Sequence, residues 1–366
     1  ALIPAAQLAV CLERFFYGVH RPHVVLAVSL MANAVNVGAN WLLIFGHGGF
    51  PALELEGAAI GTVCGIFTEL LLMGVMFLAP GVHRQFATRR LQASWAQAKD
   101  VLRVGWPAGV QFTNDLISWG LLTTVFIGGA FGKMHLAAHT AVIRYISLSF
   151  MPAVGIGIAA TSLVGRYVGE KRRDLARRRA HVALLFACCY MGLCGLAFFV
   201  FRGPMIDLFA HVEPGDGLSA AQAAAREAEL IRIGSRLMIC AALFQLFDAV
   251  GIVYVGALRG AGDTRWPMVA TMLLSWSLIV GGSFLAVAHL PHLTSLGPWI
   301  AGSAYVIVLG GVLAWRFESG AWERIELLDR GEGDPPPLPP TEAVGEPPAG
   351  AYDTPSGLDE AAAHTD

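Results

Sequence analysis

The sequence predicts an all-α polytopic membrane protein, and three observations carry that prediction. Charged residues make up 14% of the chain, where a soluble domain carries about a quarter, and the mean hydropathy is +0.58. The apolar residues fall in blocks of about 20, the length a helix needs to cross roughly 30 Å of hydrocarbon. The short segments between the blocks alternate between basic and uncharged, as loops on opposite sides of a membrane do.

Nine spans are predicted, over residues 2–19, 24–46, 57–79, 104–131, 136–165, 180–201, 228–258, 268–290 and 297–317. The first opens at the chain start, with no initiator Met, basic n-region or cleavage site, so no signal peptide is read there. Its adjacent Glu13 and Arg14, close to its end, suit interface anchors. The second span carries Ser29, Asn33, Asn36 and Asn40 at steps of four, three and four, hence on one helical face. That face either lines a wet cavity or hydrogen-bonds to a neighbouring helix. The third span holds Glu69 at mid-depth with no evident partner.

The fourth span reads Gly105-Trp-Pro-Ala-Gly-Val-Gln-Phe-Thr-Asn-Asp-Leu116 and places Asp115 well inside it. The fifth contains Pro152, expected to kink it, and Arg144 with His139 nearby in its other half. Arg144 could pair with a carboxylate in a cavity, or the span could start later. The sixth carries Cys188, Cys189 and Cys194, but no Cys or His elsewhere completes a metal-ligand spacing, and all six cysteines suit helix packing. The seventh holds Asp248 and ends in the Gly-rich turn from Arg259 to Pro267, where Gly260 and Gly262 suit a helix stop. Beyond Arg316 the composition turns to Pro, Gly, Asp and Glu, so residues 318–366 are expected to form a disordered tail.

Loop charge sets an orientation. Residues 82–103 and 166–179 are strongly basic, the turn after the seventh span has Arg259 and Arg265, and the intervening loops have few or no basic residues. By the positive-inside rule the basic loops face the cytoplasm, which puts Ala1 outside and the tail inside. A weak repeat supports two lobes. A span ending at Gly18-Val-His-Arg-Pro22, then a span, a Gly/Pro hairpin and a span opening at Gly57, recurs as Gly262-Asp-Thr-Arg-Trp-Pro267, a span, a hairpin and a span opening at Gly297. The offset is roughly 240 residues. The second copy follows three further spans and the first follows none, so three spans are expected to be missing before Ala1.

The polar residues inside the spans carry the chemistry. Asp115 lies about ten residues past the cytoplasmic end of its span, and Asp248 about ten before the end of its own. At about 1.5 Å per residue both sit some 15 Å deep, near the midplane. Gln111 and Ser118 lie one turn either side of Asp115, Asn114 is adjacent, and Gln245 lies one turn before Asp248. Two carboxylates sharing a low-dielectric site hold a proton or a small cation between them, the chemistry of ion-coupled transport. Two separate helix-packing aspartates are the bland alternative. No nucleotide-binding loop, nucleophile elbow or zinc-protease motif is present, and a net charge of −2 gives no case for nucleic acid.

These residues resemble the multidrug and toxic compound extrusion (MATE) exporters, most closely their NorM-like branch, over about residues 1–317. The resemblance rests on Gln245-Leu-Phe-Asp-Ala-Val250, Gly256-Ala-Leu-Arg-Gly260 and Asp263-Thr264. Supporting matches are Pro107 with an acid eight residues on, Asn36 and Asn40-Trp41, and Pro152 with Leu163-Val-Gly-Arg-Tyr-Val-Gly169. It implies a two-lobe bundle of twelve helices, of which residues 1–81 would be the last three of the first lobe, 82–103 the inter-lobe loop and 104–317 the second lobe. It implies that Asp248 is the cation-site carboxylate of that second lobe and that Asp115 stands where the branch usually has Glu.

The expected function is a plasma-membrane antiporter, not an enzyme, that couples Na⁺ or H⁺ entry to export of organic, often cationic, compounds. No cofactor beyond the coupling ion is expected, and a monomer in the bilayer is. Its coupling residues would be Asp115, Asp248, Gln111, Asn114 and Gln245, with any Na⁺ held at Asp115 and Asp248; Asn33, Asn36, Asn40, Glu69 and Arg144 would line the cavity. The alternative is a flippase for lipid-linked saccharides of the same superfamily, which would hold a diphosphate with cavity Arg and Lys, for which Arg144 is the one candidate.

Overall fold

The computed structural model describes residues 2–49, 51–89, 95–210 and 219–325, and these are helical almost throughout. Three helices open the chain: α1 (Leu2–Gly18), α2 (Pro22–Phe45) and α3 (Glu54–Phe77), followed by the short α4 (Pro80–Phe86). Pro22 starts α2 at a position where its missing N–H removes nothing, and Gly46, in the left-handed region at φ 70°, stops it. Gly57, Gly61 and Gly65 form one stripe of α3 pressed against α2, and a Cβ on Gly57 would lie 2.6 Å from the Leu43 carbonyl. Phe16, Val25, Val28, Met73 and Val82 close a small core within this group.

The remaining helices are α5 (Trp95–Leu121), α6 (Ala130–Gly169), α7 (Arg173–Val200), α8 (Arg202–Ala210), α9 (Ala220–Gly260), α10 (Arg265–Leu274), α11 (Gly282–His289) and α12 (Leu296–Glu318). π-helical segments, Leu122–Gly129 and Ser275–Gly281, follow α5 and α10. Seven described stretches are long and apolar enough to cross a membrane. The longest, Ala98–Gly169, is broken at Gly132 (φ 80°, ψ −172°), between the fourth and fifth predicted spans. With that division and the 17-residue α1, every one of the nine predicted spans has its helix.

Large apolar side chains remain exposed around the bundle, among them Phe112, Leu148, Phe186, Leu193 and Leu273, as suits contact with lipid. The tightest packing joins α6 to α9. Gly157 and Gly165 of α6 face Gly256 and Gly260 of α9, and Thr161 Oγ1 donates to the Gly256 carbonyl at 2.9 Å. A reciprocal cap between Ser219 and Gln222 starts α9. Gly262 (φ 83°) ends it, with the Asp263 N–H returned to the Leu258 carbonyl at 2.8 Å.

Two boundaries differ from expectation. The helix of the fourth span starts at Trp95, within the stretch read as a loop, because the polar residues ahead of Gly105 still favour helix outside the apolar zone. The packed region also runs past residue 317. Gly320 turns the chain back, Trp322 is buried and stacked on Phe317 with its Nε1–H on the Phe317 carbonyl (2.9 Å), and Glu323 pairs with Arg177 at 3.0 Å. The rest of the expected tail lies outside the described residues.

Candidate intramembrane ion site

Residues 111–118 of α5 present a polar face because Gln111, Asn114, Asp115 and Ser118 recur at helical spacing. Gln111, Asn114 and Ser118 are buried, and Asp115 is half-buried. A second polar ladder, Thr271 and Ser275, lies one turn apart at the end of α10 and the start of its π-helical segment. The two ladders mate. Gln111 Nε2 donates to Thr271 Oγ1 (3.0 Å), Asn114 Nδ2 donates to Ser275 Oγ (2.9 Å), and Trp276 Nε1 donates to Asn114 Oδ1 (2.9 Å). π-helical turns of this kind are frequent at functional sites, since they re-aim side chains within a helix.

Two further residues complete the surroundings of Asp115. Arg259, near the end of α9, donates through Nη2 to Gln111 Oε1 at 2.9 Å and lies within electrostatic reach of Asp115. Tyr305 of α12 donates its hydroxyl to Asp115 Oδ1 across a long 3.4 Å. Neither was singled out as a site residue from the sequence. Arg259 was read as a loop charge, because it stands beside the Gly-rich stop; its long side chain reaches back into the bundle. A mid-span Tyr is the only local sign of Tyr305.

Asp248 is placed differently. It is half-buried on α9 and, among the described residues, makes no side-chain hydrogen bond or ion pair. No hydrogen bond joins it to Asp115 there. Tyr305 is what the two carboxylates share, bonded to one and within electrostatic reach of the other. Gln245, one turn away, donates through Nε2 to Ser149 Oγ of α6 at 2.7 Å, and its buried Oε1 is left without a partner. A free carboxylate and a free amide oxygen on one helix face supply the oxygen donors that a proton or a hard cation takes.

The other sequence candidates lie elsewhere. Asn36 donates to the Gly61 carbonyl (3.0 Å) and Asn40 to Asn36 Oδ1 (3.1 Å), so both hold α2 to α3; Asn33 is exposed and bonds its own helix at the Ser29 carbonyl (2.9 Å). That is the helix-bonding alternative, favoured because the glycine stripe of α3 brings the helices too close for a cavity. Glu69 has partners after all. Ser29 Oγ lies 3.4 Å from its Oε1, and the Glu13 carboxyl is within hydrogen-bond reach, so Glu13 faces its neighbours rather than anchoring at the interface. Arg144 is exposed and lines an outer depression with Lys133, Thr140 and Phe209, away from both aspartates.

A multi-span helical bundle with carboxylates and amide ladders inside its spans defines a polytopic membrane protein. The comparisons with known proteins agree. The MatE family model matches residues 110–283, the stretch that contains both aspartates. The chain is 29% identical over 307 residues to the probable multidrug resistance protein NorM of Thermotoga maritima, covering 83% of this chain and 62% of that protein. It is 28% identical to the probable multidrug resistance protein NorM of Rhizobium meliloti, covering 87% and 65%. Among solved structures, the outward-facing conformation of a multidrug resistance MATE family transporter superposes with a TM-score of 0.70 at 20% identity, covering 85% of this chain and 65% of that one. Over residues 110–283 the chain is thus similar to the MatE family, and over most of its length to NorM proteins. It spans less than two thirds of the length of the curated relatives named here.

Proposed function

We propose that the protein is a cation-coupled antiporter that exports organic, often cationic, compounds across the plasma membrane. The observation that carries the reading is an intramembrane carboxylate, Asp248, with no protein partner, linked through Tyr305 to a second, Asp115, that sits in a built polar network. An ionised Asp248 in that setting is costly, so it takes a proton or Na⁺. Entry of that ion changes the charge facing Tyr305 and Asp115, and through Gln111 and Arg259 it biases how α5, α9 and the α10 span sit together. The relatives' names as multidrug resistance proteins support the substrate class. Basic loops at one end of the bundle support a cytoplasmic C-terminus. Arg144, the cation named for the flippase alternative, lines a depression that includes neither aspartate, and Arg259 is bonded to Gln111 beside Asp115, so neither favours that alternative.

The test is efflux of a fluorescent cationic dye from cells expressing the full chain, with protein level measured on the same samples. Asp248→Asn abolishes ion-driven efflux and Asp115→Asn weakens or abolishes it, without loss of folded protein, because Asn is nearly isosteric and easier to bury than a charge. The double variant loses little more than the worse single one, since residues acting through Tyr305 as a unit are non-additive. Full efflux in Asp248→Asn removes this site from the mechanism.

A further inference from the structure

A second polar centre stands toward the other end of the same bundle, around His139 of α6. His139 is buried, at 1% exposure, and its Nε2 lies 2.9 Å from Thr123 Oγ1 in the π-helical segment after α5. Thr123 spends its one hydroxyl proton on the Trp119 carbonyl, at 2.9 Å. Its oxygen can therefore only accept from the ring, which fixes the proton of a neutral imidazole on Nε2 and leaves Nδ1 as a bare lone pair. That Nδ1 is buried with no hydrogen-bond partner. Across from it, Trp299 of α12 stands edge-on with 5.5 Å between ring centres, and its buried indole N–H is also without a partner. An unused acceptor and an unused donor on adjacent buried rings each carry a desolvation cost that native interiors seldom leave in place.

The centre connects to the ion site along one helix. Thr123, Trp119 and Asp115 succeed one another at four-residue steps on one face, so His139 is anchored two turns, about 12 Å, from Asp115. Between them lies Ser118, fully buried, with a hydroxyl that has no partner. The Trp119 ring meets Tyr305, the residue that contacts Asp115. Among the described residues no charged side chain is hydrogen-bonded or ion-paired with His139. On its own helix, Lys133 and Arg144 line an outer depression. On α9, Glu229 pairs with Arg232 and acts on His135 one turn further out. Of the other charged or ionisable groups on the surrounding elements, Asp115 of α5, Asp248 and Arg259 of α9 and Tyr305 of α12 belong to the ion site; Arg202 and Asp207 stand on α8, Arg236 on α9 and His289 at the end of α11; and α7 and α12 carry their charges at the basic-loop end, between Arg173 and His181 and at Arg316 and Glu318.

We propose that His139 is a proton-carrying residue of the transport cycle: Nδ1 takes a proton arriving from the end of the bundle away from the basic loops and releases it toward Asp115 by way of Ser118. Nδ1 gains and then loses the one proton, while Nε2–H stays on Thr123, so the imidazole returns unchanged. The inference rests on the proposed antiport and names its coupling ion as H⁺.

The test uses the full chain in lipid vesicles and His139→Gln. A Gln amide can still donate to Thr123 from near the Nε2 position but cannot take a proton. In protein labelled with ¹⁵N-histidine, the signals that vanish in His139→Gln report on this ring. They are expected to show Nε2–H with bare Nδ1 at alkaline pH, and protonation of Nδ1 towards the acid end of the transport range in the folded protein. Efflux driven by a proton gradient is expected to fall in His139→Gln to the background of Asp248→Asn, with Thr123→Val, which keeps the imidazole, retaining a pH-dependent profile. Bare Nδ1 at every pH at which Asp248-dependent efflux runs, or an unchanged pH profile in His139→Gln, overturns the proposal. Active Asp248→Asn in the same vesicles overturns the antiport reading itself, so the two failures are told apart.

Discussion

The contact of α6 with α9 gives the most quantitative prediction, because it is set by backbone rather than by flexible side chains. A Cβ on Gly256 would run into the Gly157 carbonyl oxygen and lie 3.1 Å from both the Gly157 carbonyl carbon and Thr161 Oγ1. Neither helix can yield locally, so Gly256→Ala pushes them apart along their length. Overpacking by one methyl against backbone costs about 1–3 kcal/mol. Losing the Thr161 hydrogen bond to the Gly256 carbonyl (2.9 Å) adds about 0.6–1.7 kcal/mol. The sum is about 2–5 kcal/mol, or roughly 30- to 4,000-fold in the folded-to-unfolded ratio. Gly251→Ala is the control, since nothing lies within 4 Å of a Cβ at that position of the same helix. Thermal unfolding of the purified protein in one detergent should place Gly256→Ala several degrees below wild type and Gly251→Ala level with it. Because Arg259 lies one turn beyond Gly256, the displacement also draws Nη2 from Gln111, so efflux per folded molecule falls as well. Equal midpoints for the two alanine variants would refute the close-approach argument.

Three further outcomes are expected besides the losses in the aspartate and histidine variants. Trp322→Ala should destabilise by about 3–5 kcal/mol in thermal unfolding, as a fully buried indole does when truncated, whereas deletion of everything after Arg330 should leave both folding and efflux unchanged. Cysteines replacing Arg173 or Arg179 should react with impermeant reagents only from the cytoplasmic side, and a cysteine within residues 48–56 only from outside; labelling of both from one side would sink the orientation.

The sequence displays spans and local faces well and long-range partners hardly at all. The apolar blocks and loop charges place every predicted span, since hydrocarbon thickness and backbone hydrogen bonding leave a helix as the only solution for each. The polar face around Asp115 is legible for the same reason: Gln111, Asn114 and Ser118 share it by helical period alone. What meets that face is not. Thr271, Ser275, Arg259 and Tyr305 lie 144 to 190 positions beyond Asp115, and each looks ordinary in its own window. The depth argument expects Asp115 and Asp248 on one level, but depth is a single coordinate. Rotation of α9 about its axis, set by the glycines that seat it on α6, decides that Gln245 turns to Ser149 and that the two carboxylates meet only through Tyr305. The same reasoning explains Asn36 and Asn40. Their spacing showed a shared face, and the Gly57, Gly61 and Gly65 stripe on the next helix, readable in the same sequence, was the sign that this face is closed by a helix rather than open to water. Glycine spacing on a neighbouring span is therefore the feature that separates a cavity-lining polar face from a helix-joining one.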